Sequence, residues 1–290
     1  MENKKKLVSI IVMCYKNEKN LFDTINTILE QTYTFFEIII SDDCSPNIDK
    51  RIFDSISNLL EQKGVKFTIN YNLKNLGTVR HFNKLINEAS GDIIVPLSCG
   101  DCFYDNQVLE NVVKYFNKYN CMIVTGKREA IIDGQIKIYP NKHQINVIKD
   151  KNKKIINYMA RYYDLISGSC TYYSRDVFNK FGMFDEQYTL LEDCPYYIHY
   201  LANNGKIMFI DRILIKYEMN GVSTGAMHPL LKEDFSKLFY NIKERYMDNL
   251  TNMSKRVVDY RIYNLSNSFF SKIKYFDIIV MLVYNRLKNR

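Results

Sequence analysis

The chain is predicted to be an α/β protein built on a mainly parallel, helix-covered sheet, and three observations carry that expectation. Short β-branched runs alternate with amphipathic segments through the first hundred residues, the rhythm of β-α-β units. Three of those runs end in polar, ligand-like residues: Val8–Met13 before Cys14 and Tyr15, Glu37–Ser41 before Asp42 and Asp43, and Ile93–Leu97 before Ser98, Cys99, Gly100 and Asp101. At 290 residues the chain can also bury a substantial core. Ligands of open α/β sheets bind outside the carboxyl ends of parallel strands, so these termini mark the expected site. An acidic pair there suits a base, a ribose or a metal-diphosphate.

Taken in order, Val8–Cys14 reads as a strand, and Leu21, Phe22, Ile25, Ile28 and Leu29 then recur at helical spacing through Gln31. Glu37–Ser41 is the second strand; Ile52, Ile56, Leu59 and Leu60 mark a helix that ends before Gly64. Lys66–Tyr71 is a third strand, Thr78–Ala89 a helix stopped near Gly91, and Asp92–Leu97 a fourth strand. Asp105 is placed to cap a helix marked by Val108, Leu109, Val112, Val113 and Phe116, with the strand Met122–Thr125 after it. An Asp133-Gly134 turn makes a hairpin of Ile131–Ile138, and the polar, Lys-rich stretch Asn146–Lys154 is expected to be a mobile loop. Gly168-Ser169-Cys170 and Leu191-Glu192-Asp193-Cys194-Pro195 form a second polar cluster. Pro195 fits a first helical turn, so Glu192 and Asp193 fall near the N-terminus of a helix running to Gly205. Lys206–Ile210 and Ile213–Tyr217 read as short strands, and beyond Gly225 the pattern is helical, with no internal repeat.

Composition narrows the function. No G-x-G-x-x-G follows the first strand and no G-x-x-x-x-G-K-[ST] occurs, which argues against dinucleotide-dependent dehydrogenases and P-loop enzymes. Seven cysteines, an odd number with no export signal before them, read as reduced thiols, and a cytoplasmic location is expected. Cys99-Gly100-Asp101-Cys102 is a C-x-x-C after a strand, open to a redox reading with Cys99 and Cys102 as the pair, or to two small residues on a pocket rim. Zinc is disfavoured, since no second C-x-x-C or matching His pair occurs.

The formal charge of +8 is concentrated near the C-terminus, where residues 232–290 carry twelve Lys/Arg against six Asp/Glu. With Phe269, Phe270, Tyr275, Phe276 and the run from Ile278 to Val283, this segment suits peripheral contact with an anionic membrane, or else a docking helix with a solvated basic face. Ile278–Tyr284 falls far short of the ~20 apolar residues that span a bilayer. No nucleic-acid-binding motif accompanies the charge, so nucleic acid is not an expected partner.

Four elements in order and spacing resemble family 2 glycosyltransferases, inverting nucleotide-sugar enzymes with a GT-A fold. They are Val8–Tyr15 with Glu18 and Leu21; Gln31-Thr32-Tyr33 with Phe36–Ser45; Asn75-Leu76-Gly77 with Arg80, Asn83 and Ala89–Asp92; and Gly182–Asp185 followed by Glu192-Asp193. The resemblance spans roughly Val8 to Thr224 and implies a GT-A domain over 1–225, with a nucleotide-binding half (1–101), an acceptor half (102–225) and a C-terminal helical segment (226–290). It places Tyr15 beside the nucleobase, Asp43 with Asp42 at the uracil or ribose, Arg80 and Ser98 near the donor, and Mg²⁺ or Mn²⁺ at Asp101. Packed-aromatic and surface-cation roles compete for Tyr15 and Arg80, and helix capping competes for Asp42 and Asp43.

The chain departs from the family at three places. Ser98-Cys99-Gly100-Asp101 stands where an acidic D-x-D-D-like segment is common, and the metal ligand falls at Gly100 or Asp101 according to the alignment, with Asp101 preferred. One carboxylate with substrate phosphates and water suffices for a hard octahedral cation. His199 stands where relatives carry Arg and reads as a satisfied helix-face histidine, and Tyr217-Glu218-Met219-Asn220 replaces a Tyr-Arg-x-His segment.

Inverting transfer requires a carboxylate facing the acceptor hydroxyl. Asp193 is the expected base, kept ionised by its helix N-terminus, while Glu192 orients it or binds an acceptor hydroxyl. The expected partners are a nucleotide-sugar donor, probed first as a UDP-sugar, and a saccharide or lipid-linked saccharide acceptor of bacterial surface polysaccharide synthesis. Three rival classes are a sugar-nucleotide pyrophosphorylase, a non-catalytic sugar- or nucleotide-binding subunit, and a thiol oxidoreductase, which requires a low-pKa cysteine.

Overall fold

Each apolar run of the first hundred residues is a strand. In the computed structural model, which describes residues 5–132, 134–217, 228–265 and 273–288, β1 (Val8–Cys14), β2 (Phe36–Asp42), β3 (Lys66–Tyr71) and β4 (Ile93–Ser98) are parallel, in the spatial order β3-β2-β1-β4. Helices α1 (Leu21–Leu29), α2 (Lys50–Gln62) and α3 (Gly77–Glu88) connect them. Val8 through Val12 are all 0% exposed because both sheet faces are covered, which is why these strands read as continuous apolar runs. Ile10 and Val12 point into a core shared with α1, α2 and α4 (Val108–Tyr119), whereas Ile11 points into a second core with α3. The chain runs outward from β1 to β3 and then returns to the other side of β1, so the strand order reverses between β1 and β4. That reversal opens the crevice in which doubly wound sheets bind ligands.

The sheet continues with β8 (Thr171–Ser174) antiparallel to β4, β6 (Ile123–Ile132) antiparallel to β8, and β9 (Ile207–Tyr217) parallel to β6. β5 (Cys102–Phe103) pairs with β9, and β7 (Gln135–Tyr139) returns along β6 as the expected hairpin, whose turn residue Asp133 lies outside the described residues. Among the described residues the remaining α-helices are α5 (Lys142–Ile148), α6 (Asn152–Tyr162), α7 (Arg175–Phe181), α8 (Asp193–Ala202), α9 (Pro229–Arg245), α10 (Asn252–Leu265) and α11 (Phe276–Lys288).

The Ala89–Asp92 motif clamps the first strands together. Gly91 approaches so closely that a Cβ would lie 2.5 Å from Ser9 Oγ, and its N–H donates to that hydroxyl at 2.7 Å. Ser90 N–H and Ser9 Oγ both donate to the buried Glu37, whose charge is paired with Lys66 at 2.6 Å, and Asp92 accepts from Leu7 N–H.

Three expectations need correction. Most of the stretch expected as a mobile loop, Asn146–Lys154, belongs to α5 and α6, because Asn141 and Gln144 form a capping box that starts α5 and α6 buries Ile155, Ile156 and Met159. The two short strands near residue 210 are one strand, continuous across an irregular register opposite Thr125–Arg128. Asp105 does not cap α4 directly; it accepts from Gln107 N–H just ahead of the helix. The C-terminal helices dock onto the α/β body, since Leu238, Phe239, Ile242 and Val258 belong to the core that contains Ile11. The expected boundary at 225/226 lies outside the described residues, as do Glu218, Met219 and Asn220. No helix among the described residues is long and apolar enough to cross a membrane.

Candidate active site

The predicted donor residues line the carboxyl edge of β2, β1 and β4. Strand pairing sets Cys14 beside Asp42 and Met13 beside Ser98, so the loops beginning at Tyr15 and Ser98 flank the β1/β4 reversal. Tyr15 is 44% exposed and Ser98 is exposed, both open to a ligand. Asn17 bridges the two loops, accepting from Tyr15 N–H at 3.0 Å and donating from Nδ2 to the carbonyl of Cys99. From Ser98 to Asp101 the chain makes a β-turn closed by Asp101 N–H on the Ser98 carbonyl, with Gly100 at φ +104°, a conformation that favours glycine. The turn is held by Gly100 N–H on Thr24 Oγ1 at 2.8 Å.

Asp42 and Asp43 sit where expected but turn inward. Asp42 is 2% exposed and receives Ser45 N–H and Oγ–H, a local cap of the turn after β2. Asp43 is 4% exposed; its carboxylate accepts from Asn72 Nδ2 (2.8 Å), Leu76 N–H (2.9 Å) and Gly77 N–H (3.0 Å). It therefore caps the N-terminus of α3, a helix distant in sequence, and shapes the floor of the crevice. Arg80, one turn further along α3, is exposed and pairs loosely with Glu186 at 3.6 Å.

The second polar cluster folds against β4 and β6. Gly168–Cys170 forms a short 3-10 turn in contact with both strands, and Gly168 N–H donates to Asp193 Oδ2 at 3.1 Å. Glu192 and Asp193 stand at the start of α8, half-buried, with Asp193 Oδ1 accepting Cys194 N–H at 2.6 Å. The helix N-terminus does not act alone on this pair, as the sequence suggested. Burial pushes the Asp193 carboxyl above the ordinary aspartate range, while the N–H groups of Cys194 and Gly168 and the charge of Arg128 oppose it. Burial, and then the charge of Asp193, push Glu192 up to about 8. At neutral pH Glu192 thus keeps its proton beside Asp193.

Arg128, which sequence reasoning missed, donates to Ser167 Oγ at 2.8 Å and lies 4.5 Å from the Tyr217 ring centroid. Gly168 was noted without a role; its backbone leaves just enough room for the carboxylates. A Cβ on Gly168 would lie 2.9 Å from Glu192 Oε1 and 3.4 Å from Asp193 Oδ2. Gly168→Ala should therefore leave Tm within about 2 °C of the parent, because a flexible carboxylate yields easily, yet lower kcat about tenfold by displacing it. Parental kcat in the Ala variant would contradict the placement.

Asp101 is 2% exposed. It offers one hard oxygen donor group at the rim of the β1/β4 crevice, and no group of three or more His, Cys, Asp or Glu gathers for a metal among the described residues. A single carboxylate fits a cation shared with a diphosphate and does not fit an all-protein cage. The redox reading of Cys99 and Cys102 is not supported: burial pushes the Cys102 thiol up to about 11, opposite to an activated thiolate, and Cys99 Sγ donates to the Asn17 carbonyl at 3.1 Å. His199 bonds to Tyr246 at 3.0 Å on the helix face, as expected of a structural histidine.

Comparison with known proteins bears on the family and the fold. Among curated proteins, the processive diacylglycerol beta-glycosyltransferase of Mycoplasma genitalium is 23% identical over 264 residues, covering 82% of this chain and 73% of that one. The putative teichuronic acid biosynthesis glycosyltransferase TuaG of Bacillus subtilis is 27% identical over 121 residues, 42% of this chain and 46% of its own. Among solved structures, S. aureus TarS 1–349 in complex with UDP-GlcNAc aligns with a TM-score of 0.64 at 17% identity, over 93% of this chain and 75% of that one. This chain spans only 44% of the longer S. aureus TarS structure. The Pyrobaculum calidifontis mannosyltransferase PcManGT in complex with GDP-Man and Mn²⁺ aligns with a TM-score of 0.60 at 12% identity, over 98% and 82%. These likenesses establish the GT-A fold. A family model described as glycosyl transferase family 2 matches residues 9–182, more than half of the sequence, and the chain belongs to that family.

Proposed function

We propose that this protein transfers a sugar, with inversion, from a nucleoside-diphosphate donor to a hydroxyl of a saccharide acceptor, with Asp193 as base. The observation that carries the reading is the half-buried Glu192–Asp193 pair, held by Gly168 N–H in the turn that touches β4, the strand that ends at Ser98, three residues before Asp101. In this reading Tyr15 and Ser98 meet the nucleotide, Asp42 and Asp43 build its floor, and Arg80 faces the diphosphate. Asp101 would hold Mg²⁺ or Mn²⁺, which supplies charge stabilisation for the departing diphosphate. Asp193 takes the proton from the acceptor hydroxyl, and Glu192, protonated near neutral pH, donates a hydrogen bond to an acceptor oxygen.

A UDP-sugar is the first donor to test, because TarS binds UDP-GlcNAc in a similar fold. The printed names of TuaG and of the diacylglycerol transferase point the acceptor toward surface polymers and lipid-borne hydroxyls. Phe276, Val280, Val283 and Tyr284 of α11 are all at least half exposed, which suits a peripheral seat on an anionic membrane beside such an acceptor. A panel of UDP- and GDP-sugars should contain one that raises Tm, more so with Mn²⁺, and that releases nucleoside diphosphate when an acceptor is supplied. Asp101→Asn should abolish the Mn²⁺ increment. A donor that binds without any turnover would overturn the catalytic reading in favour of a binding subunit, and release of pyrophosphate would indicate a pyrophosphorylase.

A further inference from the structure

We propose that Asp234, on the C-terminal helix α9, is a positioning residue that sets the Glu192–Asp193 pair through the loop ahead of it. Asp234 is 0% exposed, and its carboxylate accepts three successive backbone N–H groups: Thr189 (2.9 Å), Leu190 (2.7 Å) and Leu191 (3.1 Å). The next two residues are Glu192 and Asp193. A buried carboxylate that receives several N–H groups is a rigid anchor, and loss of that charge leaves the donors dry. The same loop is held from the opposite side, where Val79 N–H donates to the Thr189 carbonyl at 3.2 Å and a Cβ on Gly77 would lie 2.7 Å from Thr189 Cγ2. The loop is thus clamped between the α3 terminus that Asp43 caps and a helix of the C-terminal segment, whose role the sequence left open.

Asp234 also acts at a distance. Its negative charge is one of the influences that hold the proton on Glu192; burial and Asp193 are the larger ones. The other groups facing the pair are Arg128 from β6, Tyr173 from β8, and Cys194 and Tyr197 from α8. Lys237, 3.8 Å from Asp234, faces the anchor from its own helix. The inference rests on the transferase reading for its catalytic consequence, but the anchor itself can be measured without activity.

The test compares Asp234→Asn, Asp234→Glu and, as a control on the exposed helix face, Glu233→Gln. In the amide variant, hydrogen exchange at Thr189, Leu190 and Leu191 should accelerate at least about tenfold, kcat should fall about 10–100-fold and donor affinity should stay unchanged. The basic limb of the kcat–pH profile should move to lower pH, because less negative charge then surrounds Glu192. Asp234→Glu keeps the charge, so its basic limb should stay at the parental pH while kcat still falls; it stands alone if the amide variant does not fold. Parental exchange in the loop would overturn the anchor. A loss of kcat with the parental pH profile in Asp234→Asn, accounted for by a smaller folded fraction, would overturn the positioning role. If the parent chain transfers no sugar, the transferase reading falls, whereas faster exchange at the three amides still upholds the anchor.

Discussion

Asp193→Asn is expected to lower kcat by about 10²–10⁴-fold, the usual contribution of a positioned proton acceptor, with donor affinity unchanged. The amide keeps the size of the side chain and one acceptor oxygen, enough for Gly168 N–H or Cys194 N–H, so the start of α8 gives up one hydrogen bond while the base is lost. The parent should show a bell-shaped kcat profile. Its acid limb follows protonation of Asp193, whose pKa burial raises, and its basic limb lies near 8, where Glu192 loses its proton. Stability carries the same signature. Glu192 moves from an ordinary 4.5 to about 8, so the folded chain holds a proton that the unfolded chain has already lost. Its contribution is complete below pH ~4.5 and is lost as pH rises through about 8. Tm measured from pH 5 to 9 should therefore fall less in Glu192→Gln than in the parent. Equal kcat in Asp193→Asn and the parent would reject the base assignment.

The strands were legible because a sheet covered on both faces leaves apolar runs too short for helices and rich in Val and Ile, as at Val8–Val12. The place of the candidate site residues at the strand ends was legible, since a polar residue after a buried strand has little choice but to stand at its end. The direction of each side chain was not. Whether Asp43 faces a ligand or α3 depends on where Leu76 and Gly77 return, a contact some thirty residues away in the chain. Asp234 was illegible for a stronger reason: its partners are backbone N–H groups, which every residue carries and no sequence pattern marks. Gly168 could be noticed but not interpreted, because its value is the Cβ it lacks beside Glu192. The α5 helix had a readable signal in Asn141 and Gln144, hidden by the Lys-rich composition that follows.

Asp43→Ala should destabilise the protein as well as weaken donor binding. The family resemblance implies a direct contact with the nucleotide, whose loss would mainly lower affinity, with helix capping as the competing role. The structure instead gives the carboxylate to Asn72, Leu76 and Gly77. Buried donors left without an acceptor cost about 1–3 kcal/mol each, so the loss should reach about 3 kcal/mol and lower Tm by about 6–12 °C. Gly77 holds φ +76° and packs on Thr189, so slack at the α3 terminus reaches the loop before Glu192 as well as the crevice floor. Donor affinity should fall at least about tenfold and kcat should fall with it, unlike Asp193→Asn, in which only kcat moves. Asp43→Asn, which keeps one acceptor oxygen, should lie between the two in Tm. Parental Tm in Asp43→Ala would show that water or a neighbouring group satisfies the α3 terminus, and the carboxylate would then be available to a ribose after all.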